Sequence, residues 1–318
     1  TLFTIIDTIY AGKISSEALA ALAKAFPLYF LIVSAGIGII AGCNSLIANA
    51  IGAKNTVLAS IYSHHAIIYA VLLSVFITFV GIFFSDDLLK SMGSSNKSVI
   101  LSSEYLDIIF YGTIIFLILT SFNSILYAQG DTKTYRNVLF FGVIANIILN
   151  PVFIFGFLFI PAFGIAGLAI STVMIQFAAC VYVFYKVNKT SLKIILKFSN
   201  FLIKRNFLLN IFNQCMPITM ALFLVAVGSY ILLSFISVFG DQAIAGYGSA
   251  VRFEHLFSLP VIGLNTAVIS IAGQNFGARR YDRIKEVYFS AIFIGFIIMC
   301  LSGILIFIFA EIIISIFS

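Results

Sequence analysis

Charged residues are scarce in this chain. They make up 9% of its 318 residues, whereas 62% are hydrophobic and the mean hydropathy is +1.14. No water-soluble core of this size could absorb so much apolar surface, so the composition excludes an ordinary soluble domain. Segments of about ten residues with alternating polarity are missing too, which excludes a membrane β-barrel. The long apolar runs predict a polytopic, all-α membrane protein.

Other motifs are absent as well. The chain has no GxxxxGK[ST] loop, which excludes an ATP-driven pump, and we expect no enzyme and no cofactor. Its four cysteines lie far apart in apolar segments without a CxxC pair, which predicts small core residues and not a disulfide or metal framework. The net charge of +6 does not require nucleic acid as a partner, because basic loops beside anionic lipid account for it.

Runs of roughly 20 apolar residues predict the membrane-spanning helices. The nine predicted spans lie near 1–12, 19–51, 57–84, 100–126, 136–158, 163–187, 207–238, 243–274 and 287–316. If the first span runs outward, thirteen of the 18 Lys and Arg residues lie in loops on one side. The positive-inside rule then predicts a cytoplasmic N-terminus for a multi-pass protein of the inner (cytoplasmic) membrane.

An internal repeat organises the chain. Residues 16–54 return as residues 241–279, at an ungapped offset of 225 (241 minus 16), and the same offset carries residues 83–93 onto 308–318. A repeat of this kind predicts two pseudo-symmetric helical lobes related by an axis along the membrane normal. We expect the second lobe to stop after its third helix and the first helix to be truncated.

The repeat also divides the chain into domains. We expect an N-terminal lobe at residues 1–190, a cytoplasmic linker at 191–206 and an incomplete C-terminal lobe at 207–318. In the linker, Lys193, Lys197 and Lys204 alternate with apolar residues. This pattern predicts an amphipathic helix on the inner leaflet.

A carboxyl group lies within the first apolar run. Asp7 in TLFTIIDTIYAGK has apolar residues on both sides. A charge at the centre of a helix in lipid costs about 2.5 to 3.5 kcal/mol on insertion scales, so Asp7 should face a cavity or hold a proton. Because withdrawal from water favours the neutral carboxyl group, this position suits a reversible proton carrier.

Two polar pairs at helical spacing accompany Asp7. Asn146 and Asn150 are four residues apart and so share a helix face, as do Thr172 and Gln176. A carboxylate, amide oxygens and a hydroxyl group could together hold a proton network or a hard cation such as sodium. Interhelical hydrogen bonds that serve packing alone are the alternative.

Glycine and proline mark further contacts. Gly38 and Gly42 form a small-xxx-small pair, which predicts close packing against another helix. Pro151 has no N–H group and therefore leaves the carbonyl group of Ile147 free, near the face that carries the two asparagines.

Several segments resemble the multidrug and toxic compound extrusion (MATE) transporters: NSILYAQGDTKT, ILNPVFIFGFLFIPAFGIAGLAISTVMIQ and GYGSAVRFEHLFSLPVIGLNTAVISIAGQNFGARR. The resemblance, closest to the bacterial and archaeal DinF-like branch, covers essentially the whole chain in order. It implies a twelve-helix fold of two lobes that exports lipophilic, often cationic, compounds in exchange for protons or sodium ions by alternating access. We expect a monomer in the lipid bilayer.

The resemblance also implies roles for individual residues. The coupling site for a proton or a sodium ion would comprise Asp7, Asn146, Asn150 and Thr172. Asn123 and Gln176 match cavity-lining positions. We expect the four coupling residues to converge inside the N-terminal lobe, since a membrane-buried carboxylate needs partners.

The chain departs from the family pattern at two places. Members of the most similar branch commonly carry aspartate where Asn150 stands, and another branch places a glutamate near Val225. Glu254, beside Arg252 in the eighth apolar run, remains as a second acid at membrane depth, and an internal ion pair explains it equally well. The absence of the glutamate favours coupling through the first lobe. Asn150 removes one carboxylate from the coupling site, which leaves the proton stoichiometry and the choice of ion open.

Two alternative functions stay open. A flippase of lipid-linked saccharides would share the lobed architecture but should show a more cationic cavity than Lys24 and Arg252 provide. A non-transporting membrane subunit or channel is the other, against which Asp7 and its polar partners argue.

Overall fold

The described part of the chain consists of nine helices. The computed structural model describes residues 2–91, 96–194, 203–236 and 241–315. The helices are α1 (Leu2–Ile14), α2 (Ser16–Gly52), α3 (Thr56–Ser91), α4 (Asn96–Ala128), α5 (Lys133–Phe155), α6 (Ile165–Asn188), α7 (Arg205–Ile236), α8 (Asp241–Gly277) and α9 (Tyr281–Ser315). Each predicted apolar run corresponds to one helix, which confirms the all-α prediction. Most helices extend past their predicted runs by a few residues, whereas α5 ends at Phe155, three residues before the predicted end, because Gly156 follows with a φ of 80°.

Seven of these helices are long and apolar enough to cross a membrane. They are α2 to α7 and α9, within the described ranges. The short α1 has 13 residues and is about 20 Å long at 1.5 Å per residue. The side chains of the first half of α8 lie outside the described residues, including those of Arg252 and Glu254.

The Gln-Gly-Asp-Thr motif joins α4 to α5. Gly130 has a φ of 85°, a left-handed conformation that glycine adopts without strain. The N–H group of Asp131 then donates to the carbonyl group of Leu126 at 2.9 Å, which closes α4. The carboxylate of Asp131 in turn accepts the N–H of Thr134 at 3.0 Å and so caps α5. The motif thus has a local structural role.

The structure repeats at the predicted offset. The first and last residues of α2 and α8 differ by 225 positions (241 minus 16, 277 minus 52). Two residues after the end of each helix stands a non-glycine residue with positive φ, Lys54 at 57° and Arg279 at 58°. The N–H of Lys54 donates to Ile51 at 2.9 Å, and that of Arg279 to Phe276 at 3.0 Å. The boundaries and endings of α2 and α8 therefore support the internal repeat.

Helix α2 lies at the centre of the assembly. It packs against α1, α3, α4, α7 and α8. A Cβ atom added to Gly42 would lie 2.5 Å from Sγ of Cys215 on α7, and one added to Gly38 would overlap the side chain of Thr219. The prediction that Gly38 and Gly42 form a close helix contact is confirmed, with α7 as the partner helix.

The C-terminal ends of α2 and α8 meet through a reciprocal contact. The charges of the loops predict that these ends lie on the cytoplasmic side. A Cβ atom on Gly52 would overlap the carbonyl oxygen of Gln274, and one on Gly277 would overlap that of Asn49. Gly52 and Gly277 are equivalent in the repeat, as are Asn49 and Gln274. Each copy of the repeat therefore needs a glycine at the same position to admit the backbone of the other.

Polar contacts accompany the glycines between these two helices. Nδ2 of Asn44 donates to Oγ of Ser270 at 2.9 Å, and both residues are buried. Nε2 of Gln274 donates to the carbonyl group of Ala128, the last residue of α4, at 2.8 Å. These bonds attach α8 to the N-terminal lobe, which here denotes α1 to α6.

The predicted linker helix lies largely outside the described residues. The chain is described again from Ile203, and the backbone N–H of Lys204 donates to Nε2 of His65 on α3 at 3.2 Å. Asn210 on α7 donates from Nδ2 to the hydroxyl group of Tyr62 at 3.2 Å. The start of α7 is therefore anchored to α3.

The cysteines are all free, as expected. Cys43 and Cys215 are fully buried between α2 and α7, in agreement with a role as small core residues. Cys300 is exposed on α9, so the prediction of a core residue is wrong there.

Candidate ion-coupling site

Helix α5 turns a single stripe of residues toward the protein interior. From residue 142 to the end of α5, the buried residues are Gly142, Asn146, Asn150 and Ile154, which follow one another at intervals of four. The remaining surface carries exposed apolar side chains such as Phe140. Because residues four apart lie on one helix face, the two asparagines face the interior while the rest of α5 faces lipid.

Helix α1 lies over this stripe. The ring of Phe3 on α1 packs against Gly142 of α5. A Cβ atom at Gly142 would lie 2.7 Å from this ring, so a larger residue would displace it. One turn further along α1, Asp7 is buried, with 7% of its surface exposed. Its Oδ1 atom accepts hydrogen bonds from Nδ2 of Asn146 at 3.1 Å and from Nδ2 of Asn150 at 2.8 Å. The structure thus brings Asp7 and both asparagines together.

A serine of α6 completes the network. Oγ of Ser171 donates to Oδ1 of Asn150 in a short hydrogen bond, and it also contacts the carbonyl oxygen of Leu168 at 3.0 Å. The side chains of Asn146 and Asn150 contact each other at 3.3 and 3.4 Å. We call Asp7, Asn146, Asn150 and Ser171 the polar cluster.

Thr172, the fourth residue expected in the coupling site, lies on α6 beside Ser171, and its role stays a prediction. Its hydroxyl group is buried without a hydrogen-bond partner, so it does not belong to the direct network. The hydrogen bond to Asn150 comes from Ser171 instead. Successive residues of a helix point about 100° apart, and both positions lie on the buried side of α6. Small rotations of α6 therefore decide which hydroxyl group reaches Asn150.

The polar cluster is arranged around an acceptor. Both amide groups donate to the same carboxylate oxygen of Asp7, and charge-assisted hydrogen bonds of this kind favour the ionised carboxylate. The amide oxygen of Asn150 is already engaged by Ser171. A cation would need oxygen atoms that point at one centre, and in this arrangement the amide nitrogen atoms face Asp7 instead.

The two expected cavity-lining residues lie apart from these hydrogen bonds. Asn123 on α4 is fully buried, and neither its amide nitrogen nor its amide oxygen has a hydrogen-bond partner. Gln176 on α6 is half-buried. Because Asn123 is fully buried, the expectation that it lines a cavity stays a prediction.

Sequence reasoning also missed the contribution of Tyr10. Its hydroxyl group donates to the carbonyl oxygen of Ile147 at 3.0 Å. The free carbonyl was predicted from Pro151, but its donor was not. A signal was present, because Tyr10 lies three residues after Asp7 and so shares its helix face.

The positions at which the chain departs from the family pattern on α7 and α8 lie outside the polar cluster. Val225 on α7 is exposed and apolar, as expected for a chain that lacks the glutamate of the other branch. The side chains of Glu254 and Arg252 lie outside the described residues, so the suggested ion pair between them stays a prediction.

Known proteins agree with this architecture. The family model described as MatE matches residues 1–152 and 217–318, and the chain belongs to this family, the MATE transporters. "Probable multidrug resistance protein YoeA" of Bacillus subtilis is 30% identical over 95% of this chain and 66% of its own length. The "FAD transporter" of Shewanella oneidensis is 25% identical over 89% of this chain and 63% of its own length. The chain therefore spans just under two thirds of the length of these two relatives.

Solved structures are similar over the entire chain. A MOP superfamily transporter from Pyrococcus furiosus superposes with a TM-score of 0.92 at 28% identity, covering 100% of this chain and 70% of that protein. An outward-facing multidrug resistance MATE family transporter gives a TM-score of 0.89 at 28% identity, again over 100% of this chain and 70% of that one. The expectation of a MATE fold is confirmed.

Proposed function

We propose that this protein is an ion-coupled exporter of lipophilic, often cationic, compounds, in which Asp7 carries the coupling proton. The observation that carries the proposal is the burial of Asp7 among Asn146, Asn150 and Ser171. A carboxyl group at membrane depth with its own set of hydrogen-bond partners marks an ion pathway by default. Membership of a family of multidrug transporters supports the same function.

The polar cluster suits a switch between two charge states. When Asp7 is ionised, the two amide groups donate to it and hold α1 against α5. When Asp7 takes up a proton, the charge-assisted part of these hydrogen bonds is lost. Protonation therefore weakens the attachment of α1 to α5. In alternating access, this weakening would let α1 move as the protein changes between its inward-open and outward-open states. Each proton that moves inward supplies about 2.3 kcal/mol per 100 mV of membrane potential.

A proton is favoured over sodium by the orientation of the amide groups. Both asparagines direct nitrogen toward Asp7, whereas a sodium ion would require their oxygen atoms. Sodium coupling at Asp7, Asn146, Asn150 and Thr172 is the second candidate. It would need both amide groups to turn over and the hydroxyl of Thr172 to join them.

The substrate class follows from the family and from the apolar character of the chain. We propose that Asn123 and Gln176 line the substrate cavity, because both match cavity-lining positions of the family. The protein would act as a monomer in the cytoplasmic membrane with its N-terminus on the cytoplasmic side. A flippase of lipid-linked saccharides and a non-transporting subunit are the alternatives that the experiment below separates.

The test uses the protein expressed from its complete gene and reconstituted in proteoliposomes. Ethidium, a lipophilic aromatic cation, serves as the substrate, and a pH gradient is imposed in the absence of sodium. We expect the wild type to transport ethidium and Asp7→Asn to fall to the level of protein-free liposomes. Ethidium binding, measured by fluorescence anisotropy, should be retained because an apolar cavity needs no proton to bind it.

Asp107→Asn is the matched control. Asp107 lies on α4, is exposed and makes no contact with the polar cluster, so its removal should leave transport unchanged. A sodium gradient with the pH gradient collapsed is the second arm, and transport in that arm alone would replace the proton by sodium. Undiminished proton-driven transport in Asp7→Asn would refute the role of Asp7. No ethidium flux in either arm would favour the alternatives.

A further inference from the structure

Pro151 leaves one carbonyl group of α5 without its helical partner. In a regular helix the N–H group of residue 151 would donate to the carbonyl oxygen of Ile147, but proline has no N–H group. An unsatisfied backbone group in hydrocarbon costs several kcal/mol, so such a carbonyl requires another donor. The side chain of Ile147 is 48% exposed, so this carbonyl belongs to a residue on the lipid-facing side of the helix.

Tyr10 supplies that donor from a different helix. Its hydroxyl group lies 3.0 Å from the carbonyl oxygen of Ile147. The ring of Tyr10 packs against the hydrophobic core, and the ammonium group of Lys13 lies 5.4 Å from the ring centroid. The aromatic ring is therefore held in place, and its hydroxyl group reaches α5 from a fixed direction.

Two anchor points join α1 to α5. Asp7 bonds the asparagines and Tyr10 bonds the backbone, at positions three residues apart on one face of α1. Three residues correspond to about 4.5 Å along the helix axis. A helix that is held at one point can rotate about it, whereas two points on one face fix both its rotation and its height.

We propose that Tyr10 is a positioning residue, whose hydrogen bond to the carbonyl group freed by Pro151 holds Asp7 in place against Asn146 and Asn150. The bond joins two neutral groups, so it does not depend on the charge of Asp7. Tyr10 keeps α1 in register when Asp7 is protonated and its own hydrogen bonds weaken. The relevance of Tyr10 for transport rests on the proposed function, in which Asp7 carries the coupling proton.

The other copy of the repeat supports this assignment. If the offset of 225 is extended to the first helix, Asp7 pairs with Leu232 and Tyr10 with Phe235 on α7. Where no carboxyl group has to be positioned, the aromatic ring is present without the hydroxyl group. In this pair of positions the hydroxyl group therefore occurs together with the acid.

The test measures the surroundings of Asp7 without using transport. Dicyclohexylcarbodiimide modifies protonated carboxyl groups in apolar surroundings, and mass spectrometry of the full-length protein quantifies modified Asp7 relative to Asp107. Tyr10→Phe removes one hydroxyl group and keeps the ring. We expect the ratio to rise about fivefold, because losing a hydrogen bond of about 1 kcal/mol frees α1 to move away from the asparagines.

Tyr111→Phe is the matched control, since Tyr111 on α4 is 68% exposed and far along the chain from the site. It should leave the ratio unchanged. In Pro151→Ala, the restored backbone N–H group competes with Tyr10 for the same carbonyl oxygen. Tyr10→Phe should therefore change the ratio by less than twofold in that background. A full fivefold effect there would show that Tyr10 acts through another contact and would overturn the assignment.

The outcomes separate this inference from the proposed function. A wild-type labelling ratio in Tyr10→Phe overturns the positioning role, even if Asp7→Asn abolishes transport. An altered ratio supports the positioning role, even if Asp7→Asn transports ethidium normally and the proposed function fails. If both proposals hold, Tyr10→Phe should also shift the pH profile of ethidium transport, and Tyr111→Phe should not.

Discussion

The two copies of the repeat are alike where they contact each other and unlike where the polar cluster lies. Helices α2 and α8 have the same length and end in the same left-handed turn, and Gly52 and Gly277 make reciprocal contacts. Helices α1 and α7 differ at the position of the acid. Asp7 is buried and hydrogen-bonded, whereas the matching position holds Leu232, and α7 contains no acidic residue.

This difference separates two physical requirements. A contact between two equivalent helices constrains both copies, because each glycine admits the backbone of the other helix. A carboxyl group in hydrocarbon needs its own donors, and Asp7 has such a set on α5 and α6. Packing therefore preserves the symmetry of the repeat, whereas the proposed ion chemistry occupies only one copy of it.

Moving the acid to the other copy would test this asymmetry and should give the largest effect. In Asp7→Asn/Leu232→Asp, ethidium transport driven by a pH gradient should stay roughly 100-fold below wild type, the equivalent of about 3 kcal/mol. The reason is that the amide groups of Asn146 and Asn150 face α1. Asp7→Asn/Leu232→Asn is the control, and both rates are measured in proteoliposomes. Recovery of a tenth of the wild-type rate would show that position matters less than the presence of a carboxyl group.

The symmetric contact should respond equally from either side. Gly52→Val and Gly277→Val each place atoms on a backbone carbonyl group, and we expect a loss of about 1 to 3 kcal/mol of stability. Thermal unfolding in detergent, followed by size-exclusion chromatography, measures the effect as a lower midpoint. Gly303→Val is the control, since nothing lies within 4 Å of a Cβ atom there. Clearly unequal losses at residues 52 and 277 would contradict the reciprocal contact.

A second glycine pair breaks the symmetry on a smaller scale. Gly38 and Gly263 are equivalent, but a Cβ atom on Gly38 would overlap Thr219, whereas nothing lies within 4 Å of one on Gly263. Gly38→Ala should lower stability by about 1 kcal/mol. Gly263→Ala should raise it slightly, since alanine is the better helix former by up to about 1 kcal/mol. The same unfolding assay decides, and a loss at Gly263 would mean that another helix covers it.

The smallest expected effect tests whether Ser171 or Thr172 belongs to the polar cluster. Ser171→Ala removes the donor to Asn150, and ethidium transport should slow by about fivefold, corresponding to a hydrogen bond of about 1 kcal/mol. Thr172→Val should stay within twofold, because the hydroxyl group of Thr172 has no partner. Initial rates at a fixed pH gradient give the comparison. The reverse order would restore Thr172 to the site in place of Ser171.

The sequence by itself determined the helices, the repeat and the acid. Long apolar runs form helices in a membrane because each backbone polar group must be satisfied within its own segment. The offset between α2 and α8 was visible because the pattern of small and apolar residues follows their shared contacts. Asp7, Asn146 and Asn150 could be selected because polar residues at membrane depth are costly, and the spacing of the asparagines defines one face.

Only the tertiary structure decided which groups meet. Ser171 and Thr172 are adjacent and chemically similar, and the rotation of α6 selects the first. Pro151 predicted a free carbonyl group at Ile147, but only the packing of α1 against α5 shows that Tyr10 donates to it. Gly38 and Gly263 look equivalent in the sequence, yet one is crowded and the other open. Sequence spacing specifies the face of a helix on which a residue lies, whereas the neighbour on that face depends on packing between helices that are distant along the chain.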